Sequence, residues 1–232
     1  MRLAVLCSGN GSNFENIVRT CRSDEVVLMI HNKKKCGAAK RADKLGIPHS
    51  YIESTDEVNM IRLIQAWNVD LVVLAGWMRI VTKDFIEAFR GRIINVHPSL
   101  LPKYKGLHAI EQAMDAGETE TGATVHYVNE ELDGGEIIIQ SKVPILHNDD
   151  IKSLTKAIQR REYAILPEAI KHVKHKLQKP NSGYMLQDDI YRWDGRIKER
   201  IWMNKLCSNN KSAAALAGAL LCPDYVPHDY EK

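Results

Sequence analysis

Residues 3–7 form an unbroken apolar run that ends in Ser8-Gly9-Asn10-Gly11-Ser12-Asn13, and a helical pattern begins directly behind the glycines. Such a run reads as a strand buried on both faces, and strands of that kind belong to parallel sheets covered by helices. The order then repeats. Residues 26–30 read as a second strand, and 36–45 as a helix closed by Gly46, with Pro48 just beyond. Residues 49–52 form a short strand. In 56–67 the apolar side chains Val58, Ile61, Ile64 and Trp67 fall at helical spacing. Residues 71–75 and 92–95 supply two more strands. Ser12-Asn13-Phe14-Glu15 has the form of a capping box, with Ser12 capping the first helix and Glu15 bonding back. Strand and helix alternating in this way predict an α/β fold, a doubly wound, mostly parallel sheet with right-handed crossovers.

The pattern changes after residue 105. Residues 108–116 read as a helix ended by Gly117. Residues 121–128 and 136–143 are β-rich and joined by the turn-prone Asp133-Gly134-Gly135, so they can pair antiparallel and extend the sheet. Residues 149–176 read as one long helix that Pro167 kinks or divides. We therefore expect a domain over 1–180 and a C-terminal extension over 181–232. There is no internal repeat.

Net charge is +3, too small to argue for nucleic acid, and the runs Lys33-Lys34-Lys35 and Arg160-Arg161 read as solvated surface. A modest positive bias would still favour anionic small substrates. The five cysteines at 7, 21, 36, 207 and 222 are odd in number and widely spaced. That argues against a disulfide framework and a metal site, and for a reducing cytoplasm. The apolar stretch 213–221 is too short to span a bilayer, and the N-terminal run is too short for a signal segment.

Chemistry concentrates between Asn95 and Gly106, which read Asn-Val-His-Pro-Ser-Leu-Leu-Pro-Lys-Tyr-Lys-Gly, and at Leu132-Asp133-Gly134-Gly135. Asn95 and His97 are two apart, so a continuing strand would point both side chains the same way. Pro98 stops the ladder and puts the pair at a strand end, where α/β proteins keep their sites. Asn95 offers a donor to a developing oxyanion, His97 can hold or move a proton, and Asp133 can orient and charge the imidazole. Taken singly, His97 is a structural histidine, Asn95 a turn residue and Asp133 an ordinary turn acid. The 8–13 loop has two readings as well. It is either a tight strand-to-helix turn or an anion site, where backbone N–H groups and the helix dipole converge. A dinucleotide fingerprint would need glycine where Phe14 stands and an acid near His31-Asn32, and the Lys-Ser/Thr of a P-loop is missing. A single phosphate monoester suits the loop better.

Asn-x-His-x-Ser-Leu-Leu-Pro followed by Leu-Asp-Gly-Gly resembles the folate-dependent formyltransferases. Ser8-Gly9-Asn10-Gly11-Ser12-Asn13 narrows the resemblance to the branch that formylates phosphoribosylglycinamide. Leu74-Ala75-Gly76-Trp77-Met78-Arg79-Ile80, Gly106-Leu107-His108 and Glu162-Tyr163-Ala164-Ile165-Leu166-Pro167 are similar to that family too, over residues 1 to about 176. The resemblance implies a formyltransferase-like fold and transfer of formyl from 10-formyltetrahydrofolate, as co-substrate, to the amine of 5′-phosphoribosylglycinamide in purine synthesis. It implies Asn95, His97 and Asp133 as catalytic, and Gly11, Ser12 and Asn13 on the substrate phosphate. Glu162 would meet the glycinamide or ribose end. Met78, Arg79 and Ile80 would line the folate pocket, with Arg79 toward the glutamate tail. His108 and His126 also match family positions, as supporting or structural groups. No metal, membrane or nucleic-acid partner is implied.

Two departures stand out. The stretch between Glu53 and Arg62 is shorter than the family pattern and holds no basic residue before Arg62, so Arg62, Lys103 or Lys105 would have to substitute at the phosphate. The chain past about 180 is longer than usual. Other readings stay open: a 10-formyltetrahydrofolate hydrolase, which would usually carry an added N-terminal domain; a methionyl-tRNA formyltransferase, with a different first loop and a basic domain; and an inactive folate- or nucleotide-binding regulator.

Overall fold

The computed structural model describes residues 1–178; the expected extension over 181–232 lies outside the described residues. In chain order the elements are β1 (Arg2–Cys7), α1 (Ser12–Thr20), β2 (Glu25–His31), α2 (Gly37–Leu45), β3 (His49–Tyr51), α3 (Glu57–Ala66), β4 (Leu71–Leu74), α4 (Lys83–Ala88), β5 (Ile93–His97), α5 (Ala109–Asp115), β6 (Glu120–Tyr127), β7 (Ile137–Pro144) and α6 (Ile151–Gln178). The seven strands form one sheet in the order β3-β2-β1-β4-β5-β6-β7. The first five are parallel, and β6 and β7 are added antiparallel. No helix among the described residues is long and apolar enough to cross a membrane.

Alternation along β1 builds the layers. Leu3, Val5 and Cys7 pack with Phe14 and Ile17 of α1, Ala38 and Ala42 of α2, and Leu154, Ile158 and Ile170 of α6. Ala4 and Leu6 face the other way, onto Met60 and Ile64 of α3 and Phe85 of α4. A period of two along a strand requires this when helices cover both faces.

Two local expectations are corrected, and one helix appears that none of them covered. The capping box does not form: Gly11 is the N-cap in the left-handed region at φ 71, with no side-chain cap, and Ser12 is already helical. Glu15 turns instead to Arg19 at 2.7 Å and to Arg41 of α2, since two guanidinium groups outcompete one backbone N–H for its carboxylate. Pro167 does not divide α6, which runs unbroken for 28 residues. Proline at 167 leaves the Tyr163 carbonyl without its helical donor, and Asn16 Nδ2 of α1 donates to that oxygen at 2.9 Å. Helix α4 went unforeseen, although Thr82 Oγ1 caps it by accepting from Phe85 N at 3.4 Å, a Thr-x-x-Phe start legible in the sequence.

Candidate active site

The parallel strands end on one cleft of about 1270 Å³, lined by the 9–13 loop, 54–55, 74–82, 95–98, 106–110, 128–133 and part of α6. Carboxyl ends of parallel strands are where open α/β sheets bind ligands.

Asn95 and His97 both lie in β5, which continues past the expected 92–95 and stops before Pro98. Across the antiparallel ladder Asn95 faces His126 of β6. The turn after β6 folds Asp133 back over the strand end, with Asp133 at φ 46. Gly135 in that turn leaves no room for a side chain, since a Cβ would stand 1.8 Å from the Tyr127 carbonyl oxygen. Asn95 Nδ2 donates to Asp133 Oδ1 at 3.3 Å and lies 3.2 Å from His126 Nε2. His97 Nδ1 is 3.4 Å from Asp133 Oδ2. The three residues therefore meet, and His126 joins them.

Ring tautomers follow from partners that can only accept. His126 Nδ1 donates to the Tyr127 carbonyl at 2.8 Å, and its Nε2 stands between Asn95 Nδ2 at 3.2 Å and Asp133 Oδ1 at 3.5 Å, accepting from the amide when bare and donating to the carboxylate when protonated. His97 Nε2 donates to the Tyr104 carbonyl at 2.7 Å, which leaves Nδ1 toward Asp133. Gly106 N donates to Asp133 Oδ2 at 2.8 Å. Burial opposes the charge on Asp133. The His126 hydrogen bond, the Gly106 N–H and the two imidazoles outweigh it and hold the carboxyl at about 2. Tyr104 and Gly106 act through a carbonyl and an N–H, so their side chains do not announce these contacts in the sequence.

At the other end of the cleft, the 9–13 loop is anchored through Ser8, the residue before it. Ser8 N donates to Gly76 O and Met78 N donates to Ser8 Oγ, both at 2.9 Å, which couples this loop to the 76–80 segment. Met78, Arg79 and Ile80 all line the cleft. Met78 and Ile80 are 60% and 76% exposed, and Leu107 and Leu132 add 66% and 48%. An apolar rim of that kind suits a flat apolar ligand. Arg79 is the one Lys or Arg side chain on the wall among the described residues. The basic substitutes expected for the phosphate do not reach it. Lys103 pairs with Glu118 at 2.7 Å, Lys105 with Glu131 at 2.6 Å, and Arg62 is exposed off the cleft. Ser54 and Thr55 line the wall instead. His108 is 75% exposed at the start of α5, near Glu111 at 3.6 Å.

Glu162 of α6 is buried, and Asn13 Nδ2 donates to its Oε2 at 2.8 Å. Burial pushes its carboxyl up from 4.5, against the Asn13 hydrogen bond. Asn13 Oδ1, also buried, has no partner. Below 4.5 the carboxyl is neutral folded or unfolded. Above that, the unfolded chain releases the proton more readily, and stability falls with rising pH until the buried group ionises. Glu162→Gln should therefore match the parent in Tm near pH 4 and exceed it increasingly toward pH 8. A Tm difference that stays flat with pH would contradict the shift.

The formyl transferase family model matches residues 1–170. The chain belongs to the formyl transferase family. Among formyl transferase relatives, the phosphoribosylglycinamide formyltransferase of Haemophilus influenzae is 40% identical over 181 residues, covering 73% of this chain and 85% of that protein. The trifunctional purine biosynthetic protein adenosine-3 of Drosophila melanogaster is 43% identical over 182 residues, and the chain spans only 14% of its length. The crystal structure of the phosphoribosylglycinamide formyltransferase of Anaplasma phagocytophilum superposes with a TM-score of 0.71 at 39% identity, over 74% of this chain and 85% of that one. The doubly wound, mostly parallel sheet with its long helix α6 is thus the formyl transferase fold.

Proposed function

We propose that the protein transfers the formyl group of 10-formyltetrahydrofolate to the amine of 5′-phosphoribosylglycinamide, as a cytoplasmic enzyme of purine synthesis. The observation that carries this is the meeting of Asn95, His97 and Asp133 on one wall of a cleft whose other end is the Ser8–Asn13 loop at the start of α1. The names of the relatives point the same way.

The folate would supply the formyl carbon as electrophile. Asn95 gives up one of its two amide contacts, to His126 or to Asp133, and donates to the formyl oxygen as charge gathers there. His97, with Nε2–H held by Tyr104, has Nδ1 left to carry a proton. Asp133 stays ionised, faces that nitrogen and balances its charge. The pair can then move a proton from the attacking amine toward the folate nitrogen. Gly11, Ser12 and Asn13 offer N–H groups to the phosphate, Ser54 and Thr55 on the same cleft wall supply hydroxyls where no cation stands among the described residues, and Glu162 with Asn13 Oδ1 receives donors of the ribose or glycinamide end. Met78, Arg79 and Ile80 take the folate.

The test is an assay with both ligands. Formyl loss from the folate should be negligible until phosphoribosylglycinamide is added, and transfer should then be rapid, because the phosphate places the amine. Rapid deformylation without nucleotide would favour a hydrolase. Tight binding of both without transfer would favour an inactive regulator.

A further inference from the structure

The oxygen that fixes the His97 tautomer belongs to Tyr104, whose backbone stands in the left-handed region at φ 56. A bulky residue keeps that conformation only when its surroundings impose it. The restraint converges on Glu118, in the turn between α5 and β6. Its Oε1 accepts the Tyr104 phenol at 2.8 Å and the Lys103 ammonium at 2.7 Å. Its own N–H donates to the Ala113 carbonyl at 3.2 Å, which anchors it to α5. From the other side, Ser99 Oγ donates to the Lys103 carbonyl at 2.6 Å. Residues 103 and 104 are thus held at both ends, while Gly106 just beyond donates to Asp133. Lys103 and Tyr104 also draw the Glu118 carboxyl below its ordinary value.

We propose that Glu118 is a positioning residue for His97: by gripping Tyr104 and Lys103 it sets the Tyr104 carbonyl against Nε2 and keeps Nδ1 toward Asp133 and the cleft. Its effect on rate rests on the proposed formyl transfer; its effect on the ring does not. An exposed ion pair adds little to stability, so the variants should fold and Tm is not the measure.

Nitrogen-15 NMR of the His97 ring in the full chain, assigned with His97→Gln, is read beside kcat and both KM values. In Glu118→Ala the His97 Nε2–H signal should broaden and exchange faster. kcat should fall about tenfold, the scale of a small misplacement, with both KM values within about twofold. Glu118→Gln, which still accepts from the phenol, should recover most of the loss. Tyr104→Phe should fall in the same direction, and Tyr104→Phe/Glu118→Ala should be no worse than Glu118→Ala alone. An unchanged ring signal or an unchanged kcat in Glu118→Ala would overturn the proposal, as would full additivity of the pair. If the parent transfers no formyl but the ring responds to Glu118→Ala, the positioning stands and the formyl-transfer reading falls.

Discussion

Asn95→Ala is expected to lower kcat by about 10²-fold or more, the usual scale for losing an oxyanion donor in a closed site. Single-turnover transfer with saturating ligands measures it. His97→Ala and Asp133→Asn should each fall at least as far, about 10²–10⁴-fold, because each removes half of a proton-handling pair. The contacts make the effects non-additive. Asp133 touches Asn95, His97 and His126 at once, so Asp133→Asn loosens all three, and adding Asn95→Ala should cost less than in the parent. The carboxyl of Asp133 is held at about 2, so no inflection of rate between about pH 5 and 9 is to be assigned to it. Near-parent turnover in Asn95→Ala would remove that amide from the mechanism.

Gly11→Ala is expected to damage both fold and nucleotide binding. The sequence suggests a simple reason, a side chain standing between the backbone and the phosphate. The structure gives a different one. Gly11 has φ 71, and an added Cβ would lie 2.7 Å from both Cα and Cβ of Ala38, at the start of α2. The new methyl meets a neighbouring helix instead of the ligand. Left-handed strain and overpacking together should cost about 2–5 kcal/mol, a fall in Tm of about 5–15 °C for a chain of this size. Relief requires the 9–13 loop to move off α2, so KM for the nucleotide should rise well beyond that for the folate. Equal changes in both constants would mean that the loop does not serve the nucleotide alone.

The parallel half of the sheet was legible because its strands are apolar on both faces and its helices carry their own stops. Gly46 closes α2 in the left-handed region as its sequence suggests. Asn95 and His97 were legible because two-residue spacing survives in any strand. Asp133 was not legible from local pattern: a turn acid before two glycines gains its surroundings only when β6 returns beside β5, and family likeness alone singled it out. The same holds for His126, whose place against Asn95 depends on ladder register. The failed capping box shows the limit of a four-residue pattern. Glu15 had a better offer from Arg41, 26 positions along the chain. The basic substitutes expected beside the loop depend on contacts a local pattern does not show: Lys103 and Lys105 are engaged by Glu118 and Glu131, and Arg62 lies off the cleft wall.

On the proposed mechanism, the seam between β5 and β6 makes catalysis a gauge of how the sheet has closed. Asn95 sits opposite His126, and the β6–β7 pairing shifts between Val125 and His126, at the imidazole itself. A slip of one residue along β6 would bring Val125 or Tyr127 to Asn95 and carry Asp133 away from the strand end. Such a misfolded chain could keep its parallel half, both helical layers and much of its far-ultraviolet spectrum. It would have no amide–imidazole–carboxylate cluster. Specific activity per mole of folded chain therefore counts molecules in the correct register, which a spectroscopic measure of secondary structure would miss.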